Sequence, residues 1–239
     1  MARAAQGKAM TAALAIFVKT PGLSPVKTRL AVALGTDDAT RFYRLAAAAT
    51  AAVAQSCQPA LTPYWAIAEA GPVAAAAWHG FAQVEQGEGA LGERLDHVYT
   101  TLQARHGRVL LIGADAPQLT SAMLRAALAM LDDADKPFVL GDASDGGFWL
   151  FGGRAPLPKT IWCTVRYSQA HTASELRALL APHGVVANAP MLTDVDNATD
   201  LPSLAHALAA LLDPVSAQRT LHDWLHTTLD RTLLTGTYV

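Results

Sequence analysis

Lys19, Lys27 and Arg29 crowd the stretch FVKTPGLSPVKTRLAVALG, residues 17–35, directly after the hydrophobic run AALAIFV. Side-chain cations at the end of a buried strand can neutralise phosphate: arginine forks two oxygens, and lysine supplies a compact charge. The two common backbone cradles for phosphate are absent. A Walker loop needs Gly directly before the Lys-Thr pair, and Val26 stands there; a dinucleotide fingerprint needs three spaced glycines, and Gly22 is alone before Gly35. Lys27 and Arg29 lie two apart, so in extended chain they project to one side. A solvated basic loop is the alternative that this stretch leaves open by itself.

Carboxylates follow later apolar runs. In RVLLIGADAPQLT, Asp115 closes a buried run before Pro117 breaks the chain. A carboxylate there is placed to hold Mg²⁺ or Mn²⁺ against a diphosphate, or simply to start a turn. In LTDVDNATDL, Asp194 and Asp196 have strand spacing and face the same side. They repel unless a cation or donor lies between them. A divalent metal shared by Asp115 and Asp196 would resolve this; helix capping by Asp194 or Asn197 is the alternative. In DASDGGFWLFGG, Asp145-Gly146-Gly147 reads as a hairpin turn. It also reads as an acceptor site, with Asp145 on a hydroxyl and the glycines admitting a ligand close to the backbone. Trp162 and Thr164 in IWCT occupy a connecting segment, where an exposed Trp stacks on a base or sugar and a buried one packs in the core.

The elements that must position these residues alternate between strand-like and helix-like. Strands are expected at 12–18, 61–68 (with Pro63 suggesting an edge), 108–115, on both sides of the Asp145 turn, and at 185–196. Helices are expected at 38–56, with Asp37 or Asp38 as cap, at 91–105, at 122–131 capped by Thr120 or Ser121, at 168–182, and over most of 199–230. QGEGALGERL, residues 86–95, reads as a loop entering a helix. This alternation implies a single α/β domain over residues 1–239, a mostly parallel sheet flanked by helices. The uninterrupted apolar strands at 12–18 and 109–112 belong at its centre. Ligands of such sheets sit beyond the carboxyl ends of the strands.

Half of the 239 residues are hydrophobic and 16% are charged, which supports a sizeable core. The net charge of −2 argues against a nucleic-acid partner. Two cysteines are too few for a disulfide framework or zinc cluster, and the eight histidines show no HExxH spacing. No GxSxG elbow marks an α/β-hydrolase. Residues 1–11 read as a disordered leader rather than a signal peptide, and no apolar run reaches membrane-spanning length. A cytoplasmic location is the expectation; oligomeric state is not legible.

Taken in order, FVKTPGLSPVKTRLAVALG, QGEGALGERL, GADAPQL, DGGFWLFG, IWCTV and DVDNATDL resemble the nucleotide-diphospho-sugar transferase superfamily. Within it the chain looks like a bacterial family proposed to be glycosyltransferases, some linked to arsenosugar biosynthesis. The resemblance implies a glycosyltransferase-A-like, Rossmann-like fold. It implies nucleotide binding by Lys19, Pro21, Gly22, Lys27, Thr28 and Arg29, a metal (Mg or Mn) on Asp115 and Asp196, and substrate near Asp145, Gly146, Gly147, Trp162 and Thr164. Three places depart from the family pattern: Asp142-Ala143 stands where Pro-Ala is usual, Asn197-Ala198-Thr199 follows Asp196, and Ala116 replaces a more usual Ser or Cys. The function so implied is glycosyl transfer from a nucleotide sugar to a small acceptor, with Lys27, Arg29 and Asp145 in the catalytic set. A nucleotidyltransferase acting on a nucleoside triphosphate is the alternative, and a non-catalytic nucleotide-binding protein is the alternative of another class.

Overall fold

The computed structural model describes residues 11–235. The run AALAIFV forms β1 (Ala12–Val18), and its parity divides the molecule. Ala12, Leu14, Ile16 and Val18 pack against α2 (Thr36–Ser56) and α5 (Ser121–Met130). Ala13 and Ala15 pack against α4 (Leu91–His106), α6 (Lys159–Thr164) and α7 (Thr172–Leu180). Both faces of the sheet are therefore covered at its centre, which is why β1 carries an apolar run rather than alternating polarity.

The sheet has seven strands. β2 (Leu61–Ile67), β3 (Ala82–Glu85), β4 (Val109–Gly113), β5 (Phe138–Ala143), β6 (Phe148–Gly153) and β7 (Val186–Leu192) join β1 in the order β3-β2-β1-β4-β6-β5-β7. Only β6 runs against its neighbours β4 and β5; the other pairings are parallel. β1 and β4 lie side by side at the centre, as their composition predicts, and the short helix α3 (Pro72–Ala77) links β2 to β3. A third layer covers the outer side of α2. There α1 (Thr28–Leu34), α8 (Leu201–Ala209) and α9 (Ser216–Thr235) bury Leu30, Leu204 and Leu221 with Phe42, whose ring lies 6.1 Å from that of Trp224.

Several local expectations change. β2 is an interior strand despite Pro63; β3 pairs only from Tyr64 onward, so the sheet tolerates a missing amide one residue earlier. The helix expected from residue 38 begins at Thr36 with Gly35 as its cap. Asp37 and Asp38 sit in its first turn, where carboxylates favour the helix dipole without capping it. Thr120 does cap α5, accepting a hydrogen bond from the Met123 amide at 3.2 Å. Residues 28–34 and 159–164, read as loop and connector, are short helices. The expected leader falls almost entirely on residues 1–10, outside the described residues. Among the described residues no helix is long and apolar enough to cross a membrane.

Candidate active site

Past the end of β1 the chain folds back on itself. The Lys19 amide donates to the Tyr43 hydroxyl at 2.8 Å, and the Thr20 amide donates to Glu69 Oε2 at 2.8 Å. The amides of Leu23 and Ser24 both donate to the Thr20 carbonyl at 3.0 Å. The loop then reaches Lys27, whose backbone is left-handed (φ 46°, ψ 45°), and turns into α1. Lys27 and Arg29 thus do not share an extended segment. They converge because the αL residue and the first helical turn aim both side chains at one carboxylate.

That carboxylate is Asp196. Lys27 Nζ lies 2.6 Å from Asp115 Oδ1 and 3.2 Å from Asp196 Oδ1, and it donates to the Val195 carbonyl at 2.6 Å. Arg29 Nη1 holds the other oxygen, Asp196 Oδ2, at 3.2 Å. The Lys27 side chain is only 5% exposed, while that of Arg29 is 67% exposed. Burial alone would lower the Lys27 pKa. The attraction of Asp115, joined by Asp196, overrides it and raises the ammonium above the usual lysine value.

Backbone contacts hold the two aspartate loops together. β7 ends against β5, with the Ser144 amide donating to the Leu192 carbonyl at 3.0 Å. The chain then runs back across the strand ends until the Val195 amide donates to the Asp115 carbonyl at 3.1 Å. Gln118 Nε2 donates to the Thr193 carbonyl at 2.7 Å. From the far side, buried Gln218 of α9 donates to the carbonyls of Pro117 and Leu119 at 2.8 and 2.9 Å. Asp200 Oδ2 accepts from the amides of Asp196 and Asn197, so the cap at this corner is built by Asp200 and Asn197 and not by Asp194.

Asp194 instead faces the cleft. Burial, then the charges of Asp115 and Asp145, push its carboxyl up to about 7, with Asp196 adding to the rise and Lys27 opposing it. The strand expected to run to residue 196 ends at Leu192, so Asp194 and Asp196 lie in the loop beyond it; their two-residue spacing was the only sequence signal for Asp194. Tyr43 and Gln86, which also line the cleft, gave no such signal.

The cleft has a volume of about 690 Å³. Val18, Lys27, Gln86, Asp115, Gly147 and Asp194 are among the residues that line it. Lys19, Thr28, Arg29, Asp145 and Asp196 border it as well. Asp145 sits exposed at the rim, one oxygen accepting from the Gly147 amide at 2.8 Å.

Other expected site residues lie elsewhere. Trp162 is fully buried, its ring 4.8 Å from Phe151 and 5.6 Å from Tyr99, so it is a core residue. Thr164 is exposed at the end of α6 and does not line the cleft. Pro21 borders a separate groove beside Trp78 and Arg44, and Gly22 borders neither. Gly146 does not line the cleft. Its φ is +89°, its carbonyl accepts from the Ala173 amide at 2.9 Å, and a Cβ there would collide with the Ala170 carbonyl. Gly146→Ala is accordingly expected to lose at least about 2 kcal/mol of stability, read by urea unfolding. An unchanged midpoint would mean that the turn relaxes freely. Asp142 of β5 is bound to Arg177 Nη2 at 2.6 Å, a residue of α7, so it has a structural partner on the helix that covers the sheet.

Asp115, Asp194 and Asp196 are the side chains that could hold a divalent cation. They are hard oxygen donors, the kind Mg²⁺ and Mn²⁺ take, and the crowding of charge at Asp194 is what a cation would relieve. The donor chemistry therefore fits, although among the described residues no three acidic, His or Cys side chains stand ready-made around a metal position.

A family model described as uncharacterised proteins conserved in bacteria, DUF2064, matches residues 45–169. The chain belongs to the DUF2064 family. The matched segment carries Asp115 and the Asp145 turn; Lys27, Asp194 and Asp196 lie outside it. No curated protein matches the sequence. The fold is similar to that of a candidate nucleotide-diphospho-sugar transferase from Desulfovibrio desulfuricans G20, with a TM-score of 0.80 and 24% identity over 92% of this chain and 97% of that one. It is also similar, at a TM-score of 0.53 and 10% identity, to a cytidylyltransferase from Leptospira borgpetersenii, over 92% and 96% of the two chains. A third likeness is 4-diphosphocytidyl-2C-methyl-D-erythritol synthase from Anaerococcus prevotii, with a TM-score of 0.52, 8% identity and 80% and 93% of the chains covered. At these identities the likeness establishes the fold: this DUF2064 protein has a nucleotide-diphospho-sugar transferase-like architecture, a mostly parallel sheet flanked by helices.

Proposed function

We propose that this DUF2064 protein is a metal-dependent transferase acting on a nucleotide-activated donor, and that it moves a glycosyl group from a nucleotide sugar to a small acceptor. The observation that carries this reading is the meeting of Lys27 and Arg29 with Asp115, Asp194 and Asp196 in one cleft at the carboxyl ends of β1 and β4. In the transfer, the bond from the anomeric carbon to the diphosphate breaks and a bond to the acceptor oxygen forms. Negative charge grows on the departing diphosphate, and Lys27, Thr28 and Arg29 line the wall where it would lie. Asp145, exposed where it borders the cleft, would take the acceptor's proton. Asp115, Asp194 and Asp196 would hold Mg²⁺ or Mn²⁺, which supplies further charge neutralisation for the leaving group when bound.

Nucleotidyl transfer is the second reading, favoured by the pair of cations after β1, which suits a triphosphate that loses pyrophosphate. The two separate by product. Incubation with Mn²⁺, an acceptor panel and either nucleotide sugars or nucleoside triphosphates is expected to release nucleoside diphosphate from the former. Pyrophosphate release from a triphosphate would overturn the glycosyl reading in favour of the second. Binding is measurable first: a ligand at a hundredfold excess over its Kd adds about 2.7 kcal/mol of stability. A nucleotide and nucleotide-sugar screen that raises the melting temperature nowhere would sink both.

A further inference from the structure

Lys27 stands where a cation shared by Asp115 and Asp196 would stand. Its ammonium carries three protons, and three acceptors surround it: Asp115 Oδ1 at 2.6 Å, Asp196 Oδ1 at 3.2 Å and the Val195 carbonyl at 2.6 Å. Every donor is spent, so in this arrangement Lys27 has nothing left to offer a phosphate. The pair of carboxylates, in turn, is already neutralised from within by Lys27 and Arg29 together. A divalent cation bound to the same oxygens would place like charges against each other in a cleft where the Lys27 side chain is only 5% exposed, a costly juxtaposition. Both cations cannot hold Asp115 and Asp196 together.

We propose that Lys27 is an exchangeable counter-cation: it occupies the carboxylate pair until a nucleotide's phosphates draw its ammonium away, and only then does a divalent cation take the pair. The inference rests on the proposed nucleotide site and adds an order to it. The Lys27 stem is long and unbranched, and Lys27, Thr28 and Arg29 all border the cleft, so a diphosphate beside them lies within reach of a swinging ammonium. Arg29 already offers its exposed guanidinium on that side. Metal and nucleotide then bind with positive coupling, each removing an obstacle to the other, and linkage requires the effect to be reciprocal.

Mn²⁺ titration followed by electron paramagnetic resonance tests this without any turnover. In the wild type, Mn²⁺ alone is expected to bind weakly, and saturating GDP, CDP or UDP to tighten it by about tenfold or more. In Lys27→Met, whose carboxylates lack their counter-cation, Mn²⁺ alone is expected to bind about tenfold tighter than in the wild type, and the nucleotide to add little. Lys27→Gln, which keeps amide donors without the charge, is expected to behave like Lys27→Met and serves if the methionine variant does not fold. Mn²⁺ affinity no greater in a folded variant than in the wild type overturns the proposal, as does wild-type Mn²⁺ affinity indifferent to a nucleotide that binds. If no nucleotide binds at all, the proposed function fails. The competition between Lys27 and Mn²⁺ is still decided by the metal titration of the variants.

Discussion

Trp162→Ala is expected to cost about 3–5 kcal/mol of folding stability, the range for truncating a buried aromatic side chain. For a domain of this size that is a fall of roughly 10 °C in melting temperature. Trp162 is fully buried between the sheet and α4, in van der Waals range of Phe151 and Tyr99. Its loss leaves a cavity that neighbours on a packed sheet fill only in part. A second variant sharpens the test. The indole Nε1 is buried without a hydrogen-bond partner among the described residues, so Trp162→Phe loses volume but also removes an unpaired donor. It is expected to cost less than half as much as the alanine variant. Chemical denaturation measures both. Full stability of Trp162→Ala, or a weakened nucleotide affinity in Trp162→Phe at unchanged stability, would return Trp162 to the substrate site.

Asp194→Asn is expected to stabilise the metal-free protein at pH 8 and to leave it unchanged near pH 4. The Asp194 carboxyl is pushed from 3.8 up to about 7 by burial first, then by Asp115 and Asp145. A folded-state pKa above the unfolded one means that the native protein binds the proton more tightly. Between about pH 4 and pH 7 the unfolded chain gives up this proton while the native protein keeps it. Stability therefore falls as pH rises through that window and levels off above pH 7. About three pKa units at about 1.4 kcal/mol each set an upper bound of about 4 kcal/mol on the loss. Asparagine carries no proton to surrender and escapes it. Urea unfolding at pH 5 and pH 8, in the presence of a chelator, compares the two proteins. Parallel pH profiles for wild type and variant would mean that Asp194 ionises freely where it stands.

The residues that local sequence left open between two readings have a common cause. IWCT carries no helical periodicity long enough to declare α6, so nothing local told a core tryptophan from an exposed one. Asp-Gly-Gly looked permissive because glycine lacks a side chain; in the fold the space above Gly146 is taken by the backbone at Ala170. Asp194 and Asp200 are both short acids near a helix start, and only the path of the chain decides that Asp200 caps and Asp194 is buried in the cleft. The residues that the cleft brings together also share a cause. Lys27, Asp115 and Asp196 each follow a strand-like run, and a strand's carboxyl end is a place that local sequence specifies.

By itself, then, the sequence determined the alternation of strands and helices, the central pair β1 and β4, and the loops that would bear charge, because hydrophobic periodicity and chain-breaking residues act over a few positions. The tertiary structure alone decided which of those loops meet. Strand order places the end of β1 beside the end of β4, and the return of the chain from edge strand β7 carries Asp194 and Asp196 back over both. Those neighbours are set by pairings between distant segments, whose energies come from burial shared across the whole sheet and leave no local mark. The direct contact of Lys27 with the two carboxylates, on which the proposed exchange with metal depends, is a product of that shared packing.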